Sequence, residues 1–306
     1  MNLIYEGVDI TTKVAINRCE AETYAENKAD QLLLRFSDAA TNWDKWHPVC
    51  GDTIQLNDGA ARTGKMFITS ITPENGLFSL RATAMPPTGE NINSQSWEIV
   101  RLFQLVNDIA KKHGLAVKIY GVTDQLYPYI QQTRMTDFVF LNRLLQMEGC
   151  AMLFYDGALV IYDELQRDRS LASATVKIGV DGRFGYTDNS SQSYGSIELV
   201  SGSFRGTFTD SAAPAARVLK PATPVECMSD AEAQRFARGI LRQANKNAYT
   251  GHFRRKFTAE YAAGSVLNLQ TEKAPSWNGK IFITRTRNNF ITGESKIFFR
   301  RTLEVY

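Results

Sequence analysis

The sequence predicts an α+β, mainly β protein in which two related small antiparallel β-barrel domains flank an α+β middle domain. Three observations lead there. A β-rich stretch recurs near the two ends of the 306-residue chain. Within each copy, short apolar or alternating runs are separated by Asn, Asp and Gly turns, the pattern of regularly spaced strands. Helical periodicity is strong only in the block between the copies and in one segment ahead of the second.

The repeat is the most specific of the three. Gly64-Lys65-Met66-Phe67-Ile68-Thr69 answers to Gly279-Lys280-Ile281-Phe282-Ile283-Thr284. Upstream, Gly51–Leu56 answers to Gly264–Leu269; downstream, Leu77–Thr83 answers to Lys296–Thr302. Only the connecting loops differ in length, by two residues in the first and four in the second. Constant strands with variable loops mark one β unit present twice. Two copies in one chain suggest that an object of doubled symmetry has to be matched.

Residues 1–88 form the first expected domain. Leu32–Phe36, Thr53–Leu56, Met66–Ile71 and Leu77–Thr83 read as strands, with turns at Asn57-Asp58-Gly59 and Glu74-Asn75-Gly76. Met85-Pro86-Pro87-Thr88-Gly89 ends it, because neither proline can continue a ladder. Residues 89–168 form the middle domain. Ser96 is expected to cap a helix over Trp97–His113, with Ile99, Leu102, Phe103, Val106 and Ile109 on one face and Gly114 as the stop. A strand at Ala116–Tyr120 follows, then a helix capped by Thr136 that ends at Gly149. Ala151–Tyr155 and Ala158–Tyr162 form a hairpin about Asp156-Gly157.

Residues 169–306 hold a linker and the second barrel domain. The polar, turn-rich stretch 165–196 reads as a linker or long surface loop. Strands resume over Ser196–Phe208, and Pro214, Pro221 and Pro224 punctuate a connection. Ser229-Asp230-Ala231-Glu232 is a capping box opening an inserted helix over about 229–246. Phe253–Tyr261, Ser265–Leu269, Lys280–Thr286 and Lys296–Val305 complete the second copy.

Composition narrows the function classes. Hydrophobic content of 43% and charged content of 22% are those of an ordinary globular protein. No apolar run approaches the ~20 residues that span a bilayer. Met1–Glu6 has neither a basic n-region nor a cleavage site, which predicts folding in a cytoplasm. Cys19, Cys50, Cys150 and Cys227 form no CxxC pair and read as buried free thiols. His47, His113 and His252 show no metal-ligand spacing and read as structural. No GxSxG elbow, Walker loop or GxGxxG fingerprint is present, and Gly179–Gly185 reads as loop. Asp156, Asp163 and Glu164 flank one hairpin, but nothing in their surroundings predicts the raised pKa of a general acid. No catalytic, metal or cofactor residue is assigned.

The net charge of +3 is unevenly placed. Residues 230–306 carry 14 Lys/Arg against 6 Asp/Glu, and residues 1–229 carry 21 against 26. The excess gathers at Arg254-Arg255-Lys256, Arg285/Arg287 and Arg300-Arg301, among aromatics expected to point inward. It suits a basic face docking an acidic protein partner, with nucleic acid as the alternative. Arg285 and Arg287 stand where the first copy has Ser70 and Thr72. Shared cores with different surfaces fit a duplicated unit that meets two different neighbours. Ser70, Thr72, Arg254, Arg255, Lys256, Arg285 and Arg287 are therefore the candidate interface residues.

The middle block carries a family resemblance. Gln131/Gln132, Thr136-Asp137, Phe140-Leu141, Arg143-Leu144, Gly149 and Tyr155–Ile161 resemble the "Q…sD..FL.RL…G…..dG.LvI" pattern of phage tail hub proteins. These are the late-control-D and XkdQ-type proteins and, more distantly, the VgrG proteins of secretion systems. Trp43–Trp46 ahead of Gly51-Asp52 is similar to the XkdQ-type N-terminal barrel. Ala237–Arg242, leading into Tyr261–Ser265, is similar to its C-terminal barrel. The resemblance implies tube-type barrels, a homotrimer with pseudo-six-fold symmetry and a position between a hexameric tail tube and a trimeric central spike. Tape-measure and baseplate wedge or LysM-type components are further implied partners, with DNA only in transit and no membrane. It implies no enzyme activity and no cofactor, and a place in the baseplate of a phage or tailocin particle assembled in the bacterial cytoplasm. A tail-associated cell-wall hydrolase or carbohydrate-binding component, and a nucleic-acid-binding protein, are the competing readings.

Overall fold

The computed structural model describes residues 1–306 except Ala40, Ala60, Asp181, Ala212, Pro214 and Ala215. Pro214, expected to punctuate a connection, thus lies outside the described residues.

The first strands are β1 (Asn2–Tyr5), β2 (Val8–Asp9), β3 (Ala15–Tyr24) and β4 (Gln31–Ser37). A one-turn helix α1 (Asn42–Trp46) precedes β5 (Thr53–Asp58), β6 (Ala61–Arg62), β7 (Met66–Glu74) and β8 (Leu77–Thr83). Trp43 on α1 is fully buried and stacks on Phe78 at 5.2 Å, with Phe36 at 4.7 Å and the Tyr5 edge at 5.6 Å. That aromatic plug is what the tryptophan pair ahead of Gly51 supplies.

The middle block begins with a correction. Ile92–Arg101 is a strand, β9, and the helix α2 covers only Leu102–Lys112. Trp97, Val100 and Arg101 pair with Ile130, Tyr127 and Leu126 of β11 (Leu126–Thr136). The aromatic and β-branched run Trp97–Val100 gains a partner ladder that helix periodicity alone does not reveal. Ile99 is left exposed with φ +49°. The helix starts where Asp124 Oδ1 accepts from the Phe103 N–H at 2.9 Å, so a remote aspartate replaces Ser96 as the cap.

Next come β10 (Ala116–Tyr120) and α3 (Asp137–Met147), capped by Thr136 Oγ1 accepting from Val139 N at 3.3 Å. β12 (Cys150–Tyr155) and β13 (Ala158–Asp163) form the expected hairpin. Asp156 and Gly157 both have positive φ, +49° and +70°, as a type I′ turn requires.

The stretch expected to be a linker is structured. It contains α4 (Glu164–Arg169), β14 (Thr175–Ile178) and β15 (Phe184–Asp188), so Gly185 lies in a strand and not in a loop. Both strands pair with distant partners, β14 with β20 (Thr175 opposite Asn268) and β15 with β19 (Phe184 opposite Phe253). Such distant partners leave only a short polar alternation in the local sequence. β16 (Ser196–Ser201), β17 (Phe204–Thr209) and β18 (Val218–Leu219) form a separate small sheet against the helix α5 (Asp230–Asn245). Ser229 Oγ accepts from Glu232 N at 3.2 Å, and Glu232 in turn accepts from Met228 N at 2.7 Å. The chain closes with β19 (Tyr249–Lys256), β20 (Val266–Thr271), β21 (Gly279–Asn289) and β22 (Glu294–Arg301).

The two copies have the same strand order, β3-β4-β8-β7-β5-β1 and β15-β19-β22-β21-β20-β14. Their registers agree residue by residue. Thr53 and Ile54 face Phe67 and Met66, and Val266 and Leu267 face Phe282 and Ile281. Gly51 N donates to Ile68 O and Gly264 N to Ile283 O, both at 2.8 Å. Each hairpin is bulged at the motif threonine, where Thr69 Oγ1 reaches Arg81 O at 3.4 Å and Thr284 Oγ1 reaches Phe298 O at 3.2 Å. The shared hexapeptide thus encodes a β-bulge with its own side-chain brace.

Register also corrects the third matched segment. Phe67 faces Thr83 and Phe282 faces Arg300, so Leu77–Thr83 is equivalent to Glu294–Arg300, two residues short of the sequence match. The extra residues lie in the turn, which spans Asn75–Gly76 in one copy and Phe290–Gly293 in the other. The copies differ at their last strand, since β1 runs antiparallel to β5 and β14 parallel to β20. Among the described residues no strand pairing closes either copy into a barrel. Instead, β21 pairs with β3 and joins both copies into one 14-stranded sheet.

The core follows the same division only in part. The first copy, α2, α3, the β12–β13 hairpin and α5 share one apolar cluster, whereas the second copy has its own around Phe253, Trp277 and Phe299. Helix α5 approaches α3 so closely that a Cβ on Gly239 would lie 2.1 Å from Met147 O. Gly239→Ala is expected to lower stability by about 2–3 kcal/mol through forced separation of the helices. Chemical denaturation checks it, and a variant as stable as the parent would refute the close approach.

Candidate assembly interface

Two of the seven candidate residues, Arg285 and Arg287, lie on the joint between the two copies. Beyond the bulge, Arg285–Asn289 of β21 pairs with Tyr24–Glu20 of β3. Ala25 N donates to Thr284 O and Phe290 N to Cys19 O, both at 2.9 Å. The even-numbered residues of β21 therefore turn their main-chain groups toward β3. Thr23 and Thr286 hydroxyls meet at 2.7 Å. Arg287 bonds Glu22, and Arg285 Nη1 lies 3.8 Å from the same carboxylate. Arg285 also sits 3.7 Å over the Phe298 ring. Burial works against the Glu22 charge, but the Tyr24 hydroxyl and Arg287 outweigh it and hold the carboxyl below its ordinary value.

Arg285 and Arg287 thus face the other copy within the chain. Their counterparts do not: Ser70 is half-buried, Thr72 is exposed, and Ser70–Glu74 pairs only with β8 among the described residues. Arg254, Arg255 and Lys256 are exposed along β19, paired with Lys296, Ser295 and Glu294 of β22. The structure brings Arg285 and Arg287 together at the joint and leaves the other five apart from it.

The basic excess is smaller at the surface than in the sequence. Arg300 and Arg242 are each 1% exposed, and Arg301 lies over the Tyr249 and Trp277 rings at 4.6 and 4.8 Å. The expected aromatics do point inward at Phe253, Phe282 and Phe299, whereas Phe257 and Phe290 are half-buried against each other at 5.4 Å.

Arg242, Lys246 and Arg300 belong to a buried ion cluster with Glu26, Glu164 and Asp168. Arg242 Nε bonds Glu164 at 2.8 Å and its Nη2 bonds Asp168; Arg300 Nη1 reaches Asp168 at 2.9 Å. Lys246 bonds both Glu26 and Glu164. Three positive and three negative groups balance, tying the loop after β3 to α4, α5 and β22. Burial opposes the Glu164 charge, but Lys246 and Arg242 hold its pKa down at about 2. Glu164 is therefore buried, not an open strand-end carboxylate, and its shift runs opposite to that of a general acid. Asp163 caps α4 by accepting from Gln166 N at 2.6 Å.

Two of the residues that carried the family resemblance, Gln132 and Asp137, belong to a second buried cluster. Asp137 Oδ2 meets His113 Nε2 at 2.9 Å and Lys112 Nζ at 2.8 Å. Its Oδ1 accepts from Gln132 Nε2 at 2.9 Å and Asn93 Nδ2 at 3.0 Å. His113 Nδ1 bonds Thr88 Oγ1 at 2.9 Å. Burial raises the Asp137 pKa, and the Lys112, Gln132, His113 and Asn93 contacts bring it down to about 2. One carboxylate fastens β9, the end of α2, β11 and α3.

The remaining histidines and thiols have plain roles. His47 ends α1 with φ +49°, and burial together with Lys296 and Arg254 pushes the half-buried His252 below its ordinary pKa. Cys19, Cys150 and Cys227 are buried free thiols, whereas Cys50, expected to be buried, is exposed in the turn before Gly51. Among the described residues, no His, Cys, Asp and Glu group could hold a metal ion, and no helix is long and apolar enough to cross a membrane.

A family model described as phage tail baseplate hub matches residues 50–292. A tail protein from Neisseria meningitidis superposes with TM-score 0.75 at 13% identity, over 100% of this chain and 98% of that one. The prophage MuSo2 43 kDa tail protein from Shewanella oneidensis gives TM-score 0.71 at 12% identity, covering 99% and 98%. An E. coli component of the type VI secretion system gives 0.67 at 13%, covering 99% of this chain and 78% of its own. A comparison with curated protein sequences gives no match. At these identities the solved structures speak for the fold alone.

Proposed function

Because the chain belongs to the phage tail baseplate hub family, we propose that it is the structural hub of a contractile tail, acting as a homotrimer with pseudo-six-fold symmetry. One observation carries this reading. A single chain holds two strand sets of the same order and register, joined edge to edge. Three such chains present six near-equivalent units, which adapts a hexameric tail tube above to a trimeric central spike below. The division at 1–88, 89–168 and 169–306 belongs to the same proposal, with the middle block turned toward the spike or lying between the paired units. Tape-measure and baseplate wedge or LysM-type proteins would be further neighbours, and DNA would only pass through the channel. The particle would be a virion or tailocin assembled in the bacterial cytoplasm, and the hub would do no chemistry.

Light scattering on the purified chain tests the oligomer. The expected mass at high concentration is three times the 34.3 kDa of the chain. A monodisperse monomer, together with class averages of particles lacking three-fold density at the baseplate centre, would refute it.

A further inference from the structure

We propose that the cavity beside the joint of the two copies binds a small organic ammonium ion, with Asp30 as its counter-charge.

The cavity holds about 320 Å³, at the small end of ligand sites. Its walls come from β3 and the start of β4 in the first copy, from the end of β12, and from the segment between β19 and β20 in the second copy. Five aromatic residues line it, Tyr24, Tyr155, Phe257, Tyr261 and Phe290, and none of them is fully buried. Ring faces attract an organic cation through their quadrupoles while covering its carbon atoms. The Tyr24 ring already holds one ammonium in this way, Lys28 Nζ at 5.7 Å from its centroid.

One carboxylate stands among these rings without a counter-charge. Asp30 is 8% exposed, and its Oδ1 accepts from the Tyr24 N–H at 2.8 Å. Among the described residues its Oδ2 has no hydrogen-bond partner, and neither oxygen has an ion pair. A buried carboxylate is ordinarily paired and hydrogen-bonded. Glu22, on the same wall, is answered by Arg287 and Arg285. Arg62 also lines the cavity, but it is exposed. Burial pushes the Asp30 carboxyl up to about 7, as it does where no positive group offsets the charge.

An ammonium ion would answer that charge with N–H donors, and the rings would enclose its stem. A metal ion suits the place less well, because it takes several oxygen ligands and Glu22 is already engaged. Since the walls come from both copies and from the hairpin, a bound cation would fasten three parts of the chain together and stabilise the folded state.

Ligand-observed NMR titration of the full chain with n-butylammonium tests the site. At pH 8 most of Asp30 is ionised, and the expected dissociation constant is on the order of millimolar. n-Butanol, with the same stem and no charge, should bind about tenfold more weakly. Asp30→Asn keeps an acceptor for the Tyr24 N–H and removes an unpaired buried charge. It should therefore fold at least as well as the parent at pH 8 and lose about tenfold or more in butylammonium affinity. Tyr155→Ala, beside the exposed hairpin turn, should weaken binding about threefold. The same head and stem occur in free amines and in lysine side chains. Nα-acetyl-lysine methylamide is titrated in parallel, and the tighter of the two cations identifies the source. Equal binding of butanol, an affinity unchanged in Asp30→Asn, or no saturable binding of either cation would overturn the site.

Discussion

Replacing Arg242 by Met is expected to cost about 3–5 kcal/mol of stability, as removal of one partner from a buried ion pair does. Arg242 is 1% exposed and bonds Glu164 through Nε, Asp168 through Nη2 and Leu303 O through Nη1. Without it, Glu164 keeps Lys246 and Asp168 keeps Arg300, but three acids share two bases inside the protein. The loss should depend on pH. Glu164 sits at about 2 in the folded chain against an ordinary 4.5, so its contribution is full above pH 4.5 and disappears as pH falls toward 2. In Arg242→Met that folded value rises, so the acid limb of the stability curve becomes shallower and the variant and parent converge at low pH. Urea titrations from pH 7 to 3 measure this. A constant difference across that range would mean that Arg242 contributes by packing and not by charge.

How much of this was legible depends on the range of each contact. The hairpins at Asn75-Gly76 and Asp156-Gly157, the caps Thr136 and Ser229 and the repeat itself are local signals, and all were readable. β9 reads as helix in the sequence because Ile99, Leu102, Phe103 and Val106 keep helical spacing across a strand–helix boundary, while the ladder that makes the strand comes from residues some thirty positions later. β14 and β15 were missed because both bond to strands of the last sixty residues. The charge of the C-terminal third misled for a related reason. Arg242, Lys246 and Arg300 count as surface in composition, but their acids lie at Glu26, Glu164 and Asp168, far away in sequence.

The Ser70/Thr72 against Arg285/Arg287 contrast is readable in the sequence, whereas the equivalence of Thr187 to Glu22 is not. Thr187 lies in the stretch whose polar composition reads as a linker, and its equivalence to Glu22 follows only from strand register. The same holds for the family pattern. Gln132, Asp137, Gly239 and Arg242 were recognisable as signature residues, but only the folded chain shows that they act through buried bonds and a close helix contact. Such positions specify a scaffold, and in a structural hub the scaffold is what must be kept.

Asp137→Asn is expected to lower stability at pH 7 by about 2–4 kcal/mol, because an amide cannot replace a carboxylate that four donors share. Asn would keep one acceptor oxygen but would turn an N–H₂ toward Lys112 and His113, or toward Gln132 and Asn93. The folded Asp137 carboxyl lies at about 2, below its ordinary 3.8, so the parent's advantage is full above pH 3.8 and fades as pH falls through 2. The damage should be local first. Asn93, Gln132 and the α2 terminus lose their common anchor, so amides of β9 and β11 should exchange faster than those of β21 and β22. Hydrogen exchange reads both effects on one sample. Uniform acceleration over all strands would show that the cluster supports the whole chain as one cooperative unit, and unchanged exchange in β9 and β11 would show that Asp137 anchors neither.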